Sequence, residues 1–96
     1  MLTYKAMYKY VENGVHGEVL DFPGVITFGR TLDKTRRLLV GALVDMAETN
    51  LSLGEALPSP EPEITDAEAD LLEPIYLILS ASSGVKQSPN RVYEAA

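Results

Sequence analysis

Phe22-Pro23-Gly24-Val25-Ile26-Thr27-Phe28-Gly29-Arg30-Thr31-Leu32 compresses a turn, a strand and the start of a helix into one stretch. Pro23 presets φ and Gly24 tolerates positive φ, so the chain can reverse there. Val25-Ile26-Thr27-Phe28 is β-branched and aromatic, which reads as a strand, and Gly29 closes it. Thr31 is placed to cap a helix, because its hydroxyl can accept a hydrogen bond from a first-turn amide. Asp33 suits the positive end of the helix dipole. Strand and helix thus both occur here, and with the antiparallel strands on either side in sequence the expected class is α+β.

On the C-terminal side, the helix is predicted from about Leu32 to Leu53. Gly54 supplies the stop and Pro58 lies beyond it. Lys34, Arg37, Gly41, Asp45 and Glu48 fall on one polar stripe, and Leu32, Leu39, Ala42, Leu43 and Met46 on the opposite, core stripe. Val40, Val44 and Leu51 widen the apolar arc beyond what one sheet contact needs. Val40 and Val44 are therefore candidate contacts to later chain or to a second subunit, in a homo-dimer or homo-tetramer.

On the N-terminal side, Asn13-Gly14 separates the strand-like runs Tyr4–Glu12 and Val15–Asp21. Asn-Gly favours a type I′ hairpin turn. That turn predicts Glu12 opposite Val15, Tyr10 opposite Gly17, Lys9 opposite Glu18 and Tyr8 opposite Val19. One face then carries Ala6, Tyr8, Tyr10, Val15, Gly17 and Val19, the expected core side. The other mixes Met7, Val11 and Leu20 with Lys5, Lys9, His16 and Glu18: solvated surface or a docking face.

The Glu55–Glu73 segment differs in character. It holds seven carboxylates (Glu55, Glu61, Glu63, Asp66, Glu68, Asp70, Glu73) and no basic residue. Pro58, Pro60 and Pro62 extend its first half. Thr65-Asp66-Ala67-Glu68 is a capping-box pattern, predicting a short helix through about Leu72. Pro74-Ile75-Tyr76-Leu77-Ile78-Leu79 reads as a fourth strand buried on both faces, with Pro74 at its start. The expected order is β-β-β-α-β, with an optional short helix before the last strand. About four mainly antiparallel strands would form one sheet under one long helix. Residues 1–80 are expected to form the single domain, and 81–96 a polar tail without the length and periodicity of a DNA-binding module.

Composition narrows the function. Of 96 residues, eight are basic and fourteen acidic, for a net charge of −6, which disfavours nucleic acid as a general partner and favours a basic one. With no cysteine there is no disulfide framework or thiolate site. The lone His16 has no base or ligand partner at a suitable spacing, and the glycines do not make a phosphate loop. Asp21 is the one carboxylate at a strand end, and alone it reads as a turn residue. No catalytic residue, cofactor or metal site is expected. No signal peptide or membrane span is legible either, so a cytoplasmic location is expected.

Tyr4 to Pro60 resembles the HicB family of antitoxins. The Pro23-Gly24-Val25-Ile26-Thr27-Phe28-Gly29-Arg30-Thr31-Leu32 run looks like the family's Pro-Gly-x-x-Thr-x-Gly-x-Thr-Leu signature. Gly54-Glu55-Ala56-Leu57-Pro58-Ser59-Pro60 is similar to its Gly-x-x-Leu-Pro-x-Pro ending. The chain departs from the pattern at Lys34 and Thr35, and at Leu20 where the family's first proline stands. The resemblance implies a partial RNase-H-like fold without the nuclease carboxylates. It also implies an oligomer and a partner, a small basic HicA-type toxin that cleaves mRNA. Glu55, Glu61, Glu63, Asp66 and Glu68 are the expected partner-binding residues. The brevity of the tail argues against the direct DNA binding that many family members show. The alternative is an orphan HicB-like scaffold or regulatory ligand-binding domain with no toxin partner.

Overall fold

The computed structural model describes residues 1–79, so the expectation for the 81–96 tail lies outside the described residues. The order is β1 (Leu2–Val11), β2 (Gly14–Val19), β3 (Ile26–Gly29), α1 (Leu32–Ser52) and β4 (Leu71–Leu77). The strands form one antiparallel sheet in the order β3-β2-β1-β4. The α1 helix packs on one face, as the sequence predicts.

Local chemistry sets the joints. Gly24 has φ 93°, and the Val25 amide reaches the Phe22 carbonyl at 3.3 Å. With Pro23 at the preceding position this is a type II turn. The Thr31 hydroxyl accepts from the Lys34 amide at 3.1 Å and caps α1. At the other end, Gly54 has φ 76°. Its amide bonds to Leu51 O, and that of Glu55 to Asn50 O, the paired bonds of a Schellman stop.

The hairpin differs from expectation by two residues. Val11 faces Gly14, Tyr10 faces Val15, Lys9 faces His16 and Tyr8 faces Gly17. Glu12 and Asn13 form the loop, and only Asn13 takes positive φ, at 73°, so the turn is not type I′. Gly14 is instead needed as a strand residue. A Cβ there would meet the Phe28 ring and lie 2.5 Å from Gly29 O. A slip of two leaves side-chain alternation intact. Val15, Gly17, Val19, Ala6 and Tyr8 are accordingly buried on the helix side, while Tyr10 projects past it.

The core joins Tyr4, Tyr8, Val15, Val19, Phe22 and Val25 to Leu39, Leu43 and Ala47 of α1 and to Ile75 and Leu77 of β4. Tyr4 and Phe22 meet edge to face, with centroids 5.3 Å apart. The buried line of α1 is Thr35, Leu39, Leu43 and Ala47, one step around from the predicted stripe. Leu32, Ala42 and Met46 are half-buried at its margin. Thr35 is fully buried, and its hydroxyl lies within bonding distance of Thr31 O at 2.8 Å and Val15 O at 3.1 Å. A Cβ at Gly17 or Gly29 of the sheet would meet Thr35 there.

Two further expectations are corrected. The capping-box segment is not helical. Asp66 Oδ1 accepts the Glu68 amide at 2.8 Å and the Ala69 amide bonds Asp66 O, which makes a turn. The chain must cross the sheet here, and no apolar helical face follows to stabilise a helix. β4 is also not doubly buried. It begins at Leu71, and only Ile75 and Leu77 are buried, while Tyr76 is 52% exposed. β4 is an edge strand, and Pro74 lies within it opposite Lys5. The Lys5 carbonyl accepts from Leu20 and its amide donates to Asp21, so both groups of Lys5 point away from β4. Antiparallel pairing then directs the nitrogen of Pro74 outward, where a missing N–H costs no ladder bond.

Candidate partner-binding surface

The acidic connection is a strap across the sheet face opposite α1. It starts on the helix side, where the Tyr4 hydroxyl donates to Pro58 O at 2.8 Å. It then rounds the sheet end at Asp21. Asp21 is 5% exposed, and each of its carboxylate oxygens holds one backbone amide. Oδ1 takes Lys5 N at 2.8 Å and Oδ2 takes Glu61 N at 2.9 Å. On the far face, Lys5 Nζ donates to Pro62 O at 3.0 Å and Ile64 O at 3.3 Å. Lys9 Nζ lies 3.4 Å from Glu68 Oε1. The strap ends at Asp70, whose amide bonds Tyr8 O at 2.8 Å and whose carboxylate accepts Tyr10 N at 2.7 Å. Met7 lies between Lys5 and Lys9 on this face and is 3% exposed. The mixed face of the hairpin is thus part-covered rather than simply solvated.

The strap divides the predicted site residues. Glu55, Glu61 and Glu63 are exposed, and among the described residues their carboxylates have no hydrogen-bond or ion-pair partner. Asp66 is half-buried and spends one oxygen on its own turn. Glu68 is exposed and shares charge with Lys9, an exposed pair of little energetic weight. Lys5, the other cation under the strap, is occupied by backbone carbonyls. The strap therefore presents largely uncompensated negative charge on a backbone fixed at both ends.

Glu73 leaves this set. It turns to the helix side and receives Arg36 Nε at 2.9 Å and Nη2 at 2.8 Å, a forked pair. Arg36 also lies over the Tyr8 ring, 5.9 Å from its centroid. The Arg36 bonds hold the Glu73 carboxyl below its ordinary value of 4.5, against some desolvation. Burial, and then Glu73, push the Tyr8 phenol up. A depressed folded-state value means that Glu73 stabilises the fold above the ordinary carboxyl range and loses that contribution as pH falls through the depressed value. Glu73→Gln is expected to flatten the acid limb of a stability-versus-pH curve below about 4.5, read by urea unfolding at several pH values.

Val40 is 48% exposed and borders a groove with Tyr76 and Pro74, while Val44 is half-buried against the core. The two are not equivalent as oligomer contacts. The three cations on the first helical turns, Lys34, Arg36 and Arg37, point to two different places. Arg36 points to Glu73, whereas Lys34 and Arg37 join Arg30 in a groove beside β3. His16 sits 3.3 Å from Glu18. Among the described residues, no three His, Cys, Asp or Glu side chains could hold a metal ion. No described helix is long and apolar enough to cross a membrane.

Among solved structures, the chain is similar to the N-terminal domain of Burkholderia pseudomallei antitoxin HicB. The TM-score is 0.64 at 21% identity, over 81% of this chain and 100% of that one. It is also similar to a chain of a HicA3 and HicB3 toxin-antitoxin complex, with TM-score 0.55 at 24% identity over 62% of this chain and 69% of that one. No protein-family model and no curated protein matches the chain. At these identities the likeness speaks to architecture, here a four-stranded antiparallel sheet with one helix. The chain has the fold of the HicB N-terminal domain.

Proposed function

We propose that the protein is a HicB-like antitoxin that binds and neutralises a small basic HicA-type mRNA-cleaving toxin, with the strap as its contact surface. The observation that carries this reading is the anchored acidic strap. Glu61 and Glu63 stand exposed on a backbone held by Asp21, Lys5 and Asp70, and Glu55 stands exposed at the end of α1, where its amide bonds Asn50 O. A surface held in place before binding loses less conformational freedom on association. Its field speeds encounter with a basic partner and rejects acidic ones. The shared fold with HicB supports the same partner class. In this reading Asp66 and Glu68 shape the strap and add to its field, and the protein acts by binding rather than by catalysis, in the cytoplasm.

The second reading, a homo-oligomeric scaffold or regulatory ligand-binding domain, is favoured by exposed Val40 beside Tyr76. Affinity capture of the tagged full chain from its host separates the two. The antitoxin reading expects a stoichiometric small basic protein that stays bound at low salt and leaves at high salt. Recovery of the chain alone, as a discrete dimer or tetramer, would move the scaffold reading to first place.

A further inference from the structure

The two edges of the sheet are built differently. On β4, Pro74 directs a nitrogen without a hydrogen to the outside, which interrupts the template a new strand would need. The β3 edge carries no such block. The Val19 amide bonds Val25 O, which sets the alternation: Gly17 with Thr27 and Val15 with Gly29 exchange the ladder bonds. The amides and carbonyls of Ile26 and Phe28 therefore point outward, with no described strand beyond them. Their side chains, on the face away from α1, are 55% and 51% exposed.

Charge is concentrated along this edge, and its sign is opposite to the protein's own. Arg30 at the end of β3 and Lys34 and Arg37 on α1 line an open groove of about 570 Å³, together with Phe28 and half-exposed Leu38. Asp33 offsets part of this through its 2.8 Å pair with Arg37. The net charge of the chain is −6, so this is a local inversion. A second β3 edge does not answer these cations, since two-fold antiparallel pairing about Thr27 would set Arg30 opposite Gly24 of the copy, and residues 22–29 carry no carboxylate. The cations repel a basic strand. The acidic strap of another copy does not suit the edge either, because Pro58, Pro60 and Pro62 and the committed Glu61 amide deny it a strand's donors.

We propose that the β3 edge is a docking site for an extended acidic segment of a different protein, added as a further strand. Backbone bonds to Ile26 and Phe28 supply affinity, and side-chain alternation supplies specificity. Residues of the segment on the helix side meet Lys34 and Arg37, with Arg30 at the strand end bordering both this side and Phe28, so carboxylates belong there. Residues on the other side meet Ile26 and Phe28, so apolar groups belong there. This site is separate from the strap and does not depend on the toxin reading.

The test uses the full-length chain and a fluorescein-labelled peptide of alternating glutamate and valine, with a lysine–valine peptide and an octathymidylate as competitors for the assignment. Anisotropy is expected to show binding of the acidic peptide that weakens as salt rises. Arg30→Glu with Lys34→Glu, both at exposed positions, is expected to weaken it by roughly tenfold or more, about 1.4 kcal/mol. Amide exchange at Ile26 and Phe28 is expected to slow in the complex, which a charge-only contact would not produce. The proposal is overturned by absence of acidic-peptide binding up to about millimolar concentration, by equal binding of the lysine–valine peptide, or by binding without protection of those two amides. Binding of the octathymidylate, lost in the double variant, in place of the peptide would also overturn it and make the groove a nucleic-acid site.

Discussion

Asp21→Ala is expected to cost about 3 kcal/mol or more, because it strands two backbone amides that now bond to a charged acceptor. In a domain this small that is a fall of roughly 15 °C in the unfolding midpoint. The carboxylate is 5% exposed and has one oxygen on Lys5 of β1 and the other on Glu61 of the strap. It therefore couples the strand to the connection that crosses behind it. Asp21→Asn keeps one acceptor and turns the other position into a donor facing a donor, so it is expected to lose about half as much or more. Thermal melts give the size, and exchange at the Glu61 amide gives the location. A loss under about 1 kcal/mol with Glu61 still protected would mean that the strap is held by other contacts.

Gly29→Val is expected to be comparably damaging, for a steric reason. A Cβ at Gly29 would lie 2.5 Å from Thr35 Oγ1, 2.9 Å from the Thr35 nitrogen and 3.1 Å from its Cα. The hydroxyl could rotate, but the helix backbone cannot retreat without lifting α1 from the core at Leu39 and Leu43. Overpacking of this kind costs about 3 kcal/mol or more. Gly41→Ala is the matched contrast. Nothing lies within 4 Å of its would-be Cβ, and the residue is inside the helix. It is expected to raise stability by roughly 0.5–1 kcal/mol through helix propensity. Urea unfolding of the pair checks both signs.

The features legible in the sequence were those decided within a few residues. Pro23-Gly24, the Thr31 cap and the Gly54 stop act locally and stand where their chemistry indicated. Strand faces survived a register error because alternation repeats every two residues. The misreadings share a different cause. Thr65-Asp66-Ala67-Glu68 offers the same side chain to a helix or to a turn, and the need to cross the sheet decides for the turn. The apolar run Ile75–Leu79 looks alike in a central strand and in an edge strand with one open face. Pro74 could be placed only once the direction of its nitrogen was known.

The strap was hidden because its anchors lie far away in the chain. Asp21 and Glu61 are 40 residues apart, and Lys5 and Ile64 are 59 apart. A signal was nonetheless present. Lys5 and Lys9 share a strand face with Met7 between them, and the acidic segment has no cation of its own. Opposite charge on an otherwise half-apolar face points to the segment that covers it. Arg30 escaped grouping with Lys34 and Arg37 because it precedes the helix, and only the packing of β3 against α1 brings the three together.

The most direct test of the central claim is growth rescue by the co-expressed chain against the small basic protein it captures. Glu55→Lys, Glu61→Lys and Glu63→Lys are combined in one variant, since these carboxylates are exposed and have no partner among the described residues. Its unfolding midpoint is measured alongside to show that the fold is kept. The account predicts that the natural chain restores growth, while the folded charge-reversed variant does not and binds the toxin far more weakly at low salt. Equal rescue by a folded triple variant would contradict it and separate the strap from toxin recognition.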